Sequence, residues 1–270
     1  MKTGSLITGI CAFLQSSIIF PAVAQNIVQP QPYGGTRQMK EFLKEEMVYP
    51  EECLKENAGG TVVVGFTVGA DGLARDYGIR SGVNPELDRE ALRLTRLILW
   101  FPATDIGLPV TVVHSLEIRF DPKKYQGYVK TRGYNNIVYP YTPVDSGNCV
   151  YDLGEVSSAP KPVFSSRDGS LSKFISRNLQ YPEAAFKQNI SGTVRLKFVV
   201  EPSGRISNLL TEKTVGGGCT EEAIRVVKMI RWIPGIKNQA AVRSWRTLDI
   251  TFDIAGKSVS GTIPTPGQVH

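Results

Sequence analysis

Gly192-Thr193-Val194-Arg195-Leu196-Lys197-Phe198-Val199-Val200 places Val194, Leu196, Phe198 and Val200 on one face. The stretch 132 residues earlier, Gly60-Thr61-Val62-Val63-Val64-Gly65-Phe66-Thr67-Val68, does the same with Val62, Val64, Phe66 and Val68. A period of two is the pattern of a strand with one buried side. The same offset carries Tyr181-Pro182-Glu183 back to Tyr49-Pro50-Glu51, Gly204 to Gly72, Trp232 to Trp100, Pro234 to Pro102 and Phe252-Asp253 to Phe120-Asp121. Residues 30–121 therefore align onto 162–253 without a gap, and the chain holds a duplicated unit.

Each unit reads in the same order. A short helix over Met39–Met47 ends at Tyr49-Pro50, because the residue before proline is driven out of the α region. A second short helix starts from Pro50 and stops at Gly59-Gly60. A hairpin follows, turning at Ala70-Asp71-Gly72 or Pro202-Ser203-Gly204 with glycine supplying the positive φ. Glu86 to Trp100 places Leu87, Ala91, Leu94 and Ile98 on one stripe, matched by Cys219, Ala223, Val226 and Ile230, and Pro102 or Pro234 closes that helix. A last strand alternates from Val110 to Phe120 and from Val242 to Phe252. The expectation is an α+β fold: two tandem domains, each a three-stranded antiparallel sheet with helices on one face. Trp100 and Trp232 are expected in the cores, and each unit is expected to unfold separately.

The domain plan is a signal peptide at 1–24, a lead at 25–29, a first domain at 30–121, a tyrosine- and proline-containing linker at 122–161, a second domain at 162–254 and a disordered tail at 255–270. Lys2, the apolar run Leu6–Val23 and Ala22-Val23-Ala24 before Gln25 have the form of a cleaved export signal, with Ala22, Ala24 and Gln25 as the cleavage residues. A retained signal would instead anchor the chain in the inner membrane. The linker is too aromatic for a plain spacer, and Tyr134–Tyr141 is expected to pack against a domain.

Composition narrows the function classes. Hydrophobic residues make up 41% and charged residues 21%, which excludes a disordered chain. The net charge of +6 conceals an asymmetry. Residues 30–121 carry ten Lys or Arg against fourteen Asp or Glu, whereas 162–253 carry fourteen against eight. The units thus present opposite fields. After signal removal Cys53, Cys149 and Cys219 remain, without zinc spacing, and Cys53 and Cys219 read as small core residues. With only His114 and His270, a histidine-based site has little to be built from, and His114 reads as a rim residue. No Ser/His/Asp order recurs, and Gly216-Gly217-Gly218 lacks the lysine of a phosphate loop. No catalytic residue, metal or cofactor is expected. Export argues against nucleic acid as a partner.

The combination of Tyr181-Pro182-Glu183-Ala184-Ala185, Gly192-Thr193-Val194, Phe198-Val199-Val200, Gly204-Arg205-Ile206, Trp232-Ile233-Pro234 and Phe252 resembles the C-terminal domain of TonB, the periplasmic part of an energy transducer serving outer-membrane receptors. The first unit carries Tyr49-Pro50-Glu51, Asp71-Gly72 and Trp100-Phe101-Pro102, and Pro32-Tyr33-Gly34-Gly35 resembles the lead of many members. The resemblance implies that the edge of the last strand accepts the TonB-box segment of a receptor by strand addition. On the second unit this would involve Gln180, Tyr181, Pro182, Arg243, Trp245, Thr247 and Asp249. Parity leaves Arg243, Trp245, Thr247 and Asp249 on the face opposite Leu248 and Ile250, with Trp245 either free for a ligand or covered by the linker or the other unit. The implied partner is a TonB-dependent outer-membrane receptor or another envelope protein. Engagement of an inner-membrane motor is left open, because the family's long charged linker is missing and the lead before Met39 reaches at most about 50 Å. The alternative is a non-transducing periplasmic scaffold built from two docked TonB-like domains.

Overall fold

The computed structural model describes residues 27–132, 137–166, 168–255 and 258–264. The signal segment, with Ala22, Ala24 and Gln25, lies outside the described residues.

In the first unit α1 spans Gly35–Glu46 and α2 Glu51–Lys55. β1 (Gly60–Val68) and β2 (Ala74–Ser81) form the hairpin, α3 spans Pro85–Arg96, and β3 (Val112–Phe120) closes a sheet of order β2-β1-β3. β1 and β3 pair antiparallel from Gly60 opposite Phe120 to Val68 opposite Val112. Val62, Val64, Phe66, Leu87, Leu94, Trp100, Ile118 and Phe120 share one core under the helices. The linker opens with a helix the sequence reading missed, α4 (Pro122–Arg132), whose Tyr125 ring lies 5.1 Å from that of Tyr49.

The second unit repeats this plan with α5 (Leu171–Asn178), α6 (Glu183–Lys187), β4 (Gly192–Val200), β5 (Ile206–Lys213), α7 (Cys219–Val227) and the long strand β6 (Ala240–Asp253). Its own core holds Val194, Leu196, Phe198, Cys219, Val226, Trp232, Leu248 and Phe252. Cys53 and Cys219 are buried and Cys149 is exposed.

Four boundaries differ from the sequence reading. The first helix starts at Gly35 rather than Met39, because Gly34 adopts the left-handed conformation (φ 76°) at its N-cap. The third helix ends at Arg96 rather than Trp100. Trp100-Phe101 is instead extended and pairs with Gln31-Pro32, as Arg231–Ile233 pairs with Lys161–Val163 in the second unit. The proline after each Trp-x pair forces this extension. The last strand of the first unit begins at Val112, since Leu108–Val110 turns back against Ala103–Asp105. Finally, β7 (Ser258–Thr262), placed in a disordered tail by composition, pairs antiparallel with β6. Of the linker tyrosines expected to pack, Tyr134 lies outside the described residues, and Tyr139 and Tyr141 are more than a third exposed.

The turn glycines answer to one contact. At Gly72 (φ 78°) an added Cβ would lie 2.8 Å from the Trp100 carbonyl oxygen, and at Gly204 (φ 74°) it would meet that of Trp232. Each hairpin turn is thus pressed onto the strand carrying its unit's core tryptophan.

The two units dock through polar groups. Asn208 donates to the Leu97 carbonyl (2.9 Å) and accepts from the Leu99 amide (2.8 Å), while Arg243 donates to the same Leu97 carbonyl at 2.7 Å. These bonds serve the carbonyl end of α3, where helix groups lack internal partners and a cation is favoured. Arg205 donates to the Glu45 carbonyl (2.8 Å), and Lys228 pairs with Glu41 at 2.8 Å. The acidic first unit thus meets the basic second through complementary charges. Glu46, 4% exposed, lies 3.7 Å from Arg93 and 3.9 Å from Arg205. Burial, reinforced by the Glu201 carboxylate, pushes its pKa up to about 7 against the pull of the two guanidinium groups.

Candidate functional site

An outer sheet edge is a row of backbone donors and acceptors, and what covers it decides whether another strand can add. In the second unit β6 pairs with β4 on its inner side from Phe252 to Ser244. Its outer side is occupied by this chain. The linker strand Val150-Tyr151 runs parallel to Arg243-Ser244 and β7 covers Asp249–Asp253, while Gly235–Lys237 makes a hairpin with Ala240–Val242 beyond the reach of β4, as Ala103–Asp105 does with Leu108–Val110 in the first unit. Only Trp245–Leu248 lies between the linker strand and β7.

The side chains expected on an open outer face are placed accordingly. Arg243 is 2% exposed; it is paired with Glu201 at 2.9 Å and also donates to the Asn148 carbonyl, because the face of the sheet it occupies is the docking face of the first unit. It is not a surface charge that could steer a peptide. Trp245 lies between the Tyr33 ring of the first unit (centroids 6.3 Å apart) and the Lys197 ammonium, 4.9 Å from its centroid. Cover by the other unit is therefore the outcome for Trp245. Thr247 is half-buried opposite Lys197. Asp249 is held by two 2.8 Å bonds from Arg195.

Gln180, Tyr181 and Pro182 sit at the start of α6. The Gln180 amide donates to Glu222 (2.7 Å), and the Tyr181 hydroxyl donates to the Ile190 carbonyl at 2.6 Å with its ring edge-on to Phe252. Tyr49 makes the matching bond to the Ala58 carbonyl (2.5 Å) and edge-on contact with Phe120. In both units the Tyr-Pro pair fastens the second helix to the end of the last strand.

In the first unit the arrangement is reversed. β3 pairs with β1 and has no strand on its outer side among the described residues. An open cavity of about 530 Å³ lies along that edge, between α1, α4 and the Glu117–Asp121 end of β3. Leu43, Met47, Ile118 and Tyr125 line its base, and Lys40, Lys44 and Lys124 stand around it. The Lys44 ammonium lies 4.1 Å from the Tyr128 ring centroid, and Lys124 is 3.9 Å from Asp121. At the far end of β3, His114 stacks edge-on against Phe66 and Trp100, and burial lowers its pKa.

The family model described as Gram-negative bacterial TonB protein C-terminal matches residues 45–122 and again 177–254. The chain belongs to this family. The two matches are offset by the same 132 residues as the sequence repeat, so the chain carries two tandem TonB C-terminal domains. Among solved structures, the solution structure of the Helicobacter pylori TonB C-terminal domain is similar at 20% identity, covering 32% of this chain and 78% of that one, with a TM-score of 0.25. No match was found among curated proteins. TonB C-terminal domains are interaction modules, and the described residues hold no group of His, Cys, Asp or Glu that could bind a metal ion.

The open edge on the first unit was missed because family likeness and positive charge both pointed to the second. A signal was available in Lys40, Lys44 and Arg119, three cations within a unit of net negative charge, with Lys124 just beyond its end. Their clustering required the positions of α1 and α4.

Proposed function

We propose that this chain is a periplasmic TonB-like protein that binds an extended segment of an outer-membrane transporter, of the TonB-box type, by strand addition, as part of TonB-dependent transport. The acceptor in this reading is the outer edge of β3. The observation that carries it is the contrast between the two last strands: β3 has no strand on its outer side among the described residues, while β6 is covered there by β7 and the linker strand Val150-Tyr151. An incoming strand would gain backbone hydrogen bonds along β3 without displacing anything, whereas the four-residue gap at Trp245–Leu248 offers less than a usual strand. Binding at Trp245, Thr247 and Asp249 beside Gln180-Tyr181-Pro182 would require β7 or the linker strand to leave.

Export to the periplasm through cleavage after Ala24 belongs to the same proposal. None of the described helices is long and apolar enough to cross a membrane. Hydrogen exchange on the chain beginning at Gln25, with TonB-box peptides, tests the binding. Protection is expected across Val112–Phe120; protection confined to Trp245–Asp253, or none at all, would refute the assignment. Mass spectrometry of the mature N-terminus tests the localisation, and a chain starting at Met1 in the inner membrane would replace the free periplasmic form with an anchored one. The second reading, a non-transducing scaffold, draws support from the docking of the units through Asn208, Arg205 and Arg243. It predicts no peptide-dependent protection of β3.

A further inference from the structure

The duplication supplies a template for what the first unit's groove takes. In the second unit β7 lies along β6 with Gly261 opposite Ile250 and Val259 opposite Phe252. It also lies against α5, where the Ser172 hydroxyl donates to the Gly261 carbonyl (3.5 Å) and Ile175 occupies the space that a Cβ on Gly261 would need. The repeat offset maps Ile250 and Phe252 onto Ile118 and Phe120, and Ser172 and Ile175 onto Lys40 and Leu43. Lys40, Leu43 and Ile118 all line the first unit's cavity. The cavity is therefore the unfilled counterpart of the groove that β7 fills in the second unit.

The two grooves differ in chemistry. Where the second unit has Ser172, Ser176 and Thr251, the first has Lys40, Lys44 and Arg119, and α4 adds Lys124. Glu117 and Asp121 are the carboxylates lining the cavity, and Asp121 is already next to Lys124. The groove is thus positive within an acidic unit. It is also deeper: a residue opposite Ile118 would face about 530 Å³ of open space lined by Leu43, Met47 and Tyr125, where Gly261 has no room for a methyl group.

We propose that this groove receives an extended segment of another protein, running antiparallel to Glu117–Asp121, with a large apolar side chain opposite Ile118, an acidic residue opposite Arg119, and acidic residues two positions to either side of the apolar one. This rests on the strand-addition reading and adds direction, register and partner chemistry to it. Strand pairing supplies the backbone bonds, the apolar side chain fills the space above Leu43 and Tyr125, the neighbouring carboxylate meets Arg119 on the other face of the sheet, and carboxylates two positions away share the apolar side chain's face with the lysines of α1.

The test uses the whole chain from Gln25 with four fluorescent peptides: leucine flanked by glutamates, glycine flanked by glutamates, leucine flanked by lysines, and this chain's own segment 257–263. The first should bind at least about tenfold more tightly than the second and third, with an affinity that falls as salt is raised. It should also protect Val112–Phe120 from hydrogen exchange. The double variant Lys40→Glu, Lys44→Glu, both on exposed positions, should invert the preference between glutamate and lysine flanks. Equal binding of the first three peptides with protection of β3 would leave strand addition standing and overturn the partner chemistry. Tightest binding by segment 257–263 would make a second copy of this chain the occupant and overturn the proposal. Failure of every peptide to protect β3 would refute strand addition itself.

Discussion

Replacing Asn208 by glycine isolates what holds the two domains together. Asn208 sits at φ 49°, in the left-handed region, so glycine keeps the backbone while removing the amide that bridges Leu97 and Leu99. The Leu97 carbonyl retains Arg243 at 2.7 Å, so the principal loss is at the Leu99 N–H, whose acceptor disappears inside the interface. An unsatisfied, partly buried donor costs about 1–3 kcal/mol. Asn208→Ala loses the same bonds and keeps a Cβ in the left-handed conformation without the polar side chain that favours Asn there, so it should be at least as destabilising as glycine. Because neither domain's core includes Asn208, the loss should fall on docking. If docking couples the domains, the native chain should melt in one transition rather than in the two expected of independent units, and the variants should separate it into two. Calorimetry would follow the transitions and hydrogen exchange the Leu99 amide. An Asn208→Gly protein with one unshifted transition and a Leu99 amide as protected as before would refute this account of the interface.

Glu46 gives the docked structure a pH dependence of definite sign. Its folded pKa, about 7, lies above the unfolded value of 4.5, so the folded protein holds the extra proton between them. Stability is greatest below that window and falls by about 3 kcal/mol as pH rises through it. Urea titrations at pH 5 and 8 should show this fall, and Glu46→Gln should remove it; an unchanged slope would mean that Glu46 is ionised in the fold. Trp232, 1% exposed and packed on Phe198, should cost about 3–5 kcal/mol when replaced by alanine, read from the shift in urea midpoint. Gly261→Val would drive a side chain into Ile175 and should release β7, with faster exchange of amides at Asp249–Asp253 and no change at Val112–Phe120. Unchanged exchange at Asp249–Asp253 would show that β7 tolerates the substitution.

The sequence by itself determined the duplication, the domain class and most of the core. Val62, Val64 and Phe66, with Val194, Leu196 and Phe198, carry period two because each strand has one buried face, and that alternation is local information. The turn glycines and core tryptophans recur at fixed spacing because each turn presses on a tryptophan strand, a contact made inside one unit. What only the tertiary structure decided is which edge is open. β7 reads as Ser, Val, Ser, Gly and Thr, a segment held by backbone pairing that leaves no periodic side-chain signal. Arg243 has the right parity for an outer face, yet that face is covered by another domain, which strand parity cannot report. The groove on the first unit likewise arises from α1, β3 and α4 converging from positions 40 to 128, so its charge and volume appear only when those segments are brought together. Pairing partners and domain docking are long-range facts; periodicity records only whether a side chain is buried, not what buries it.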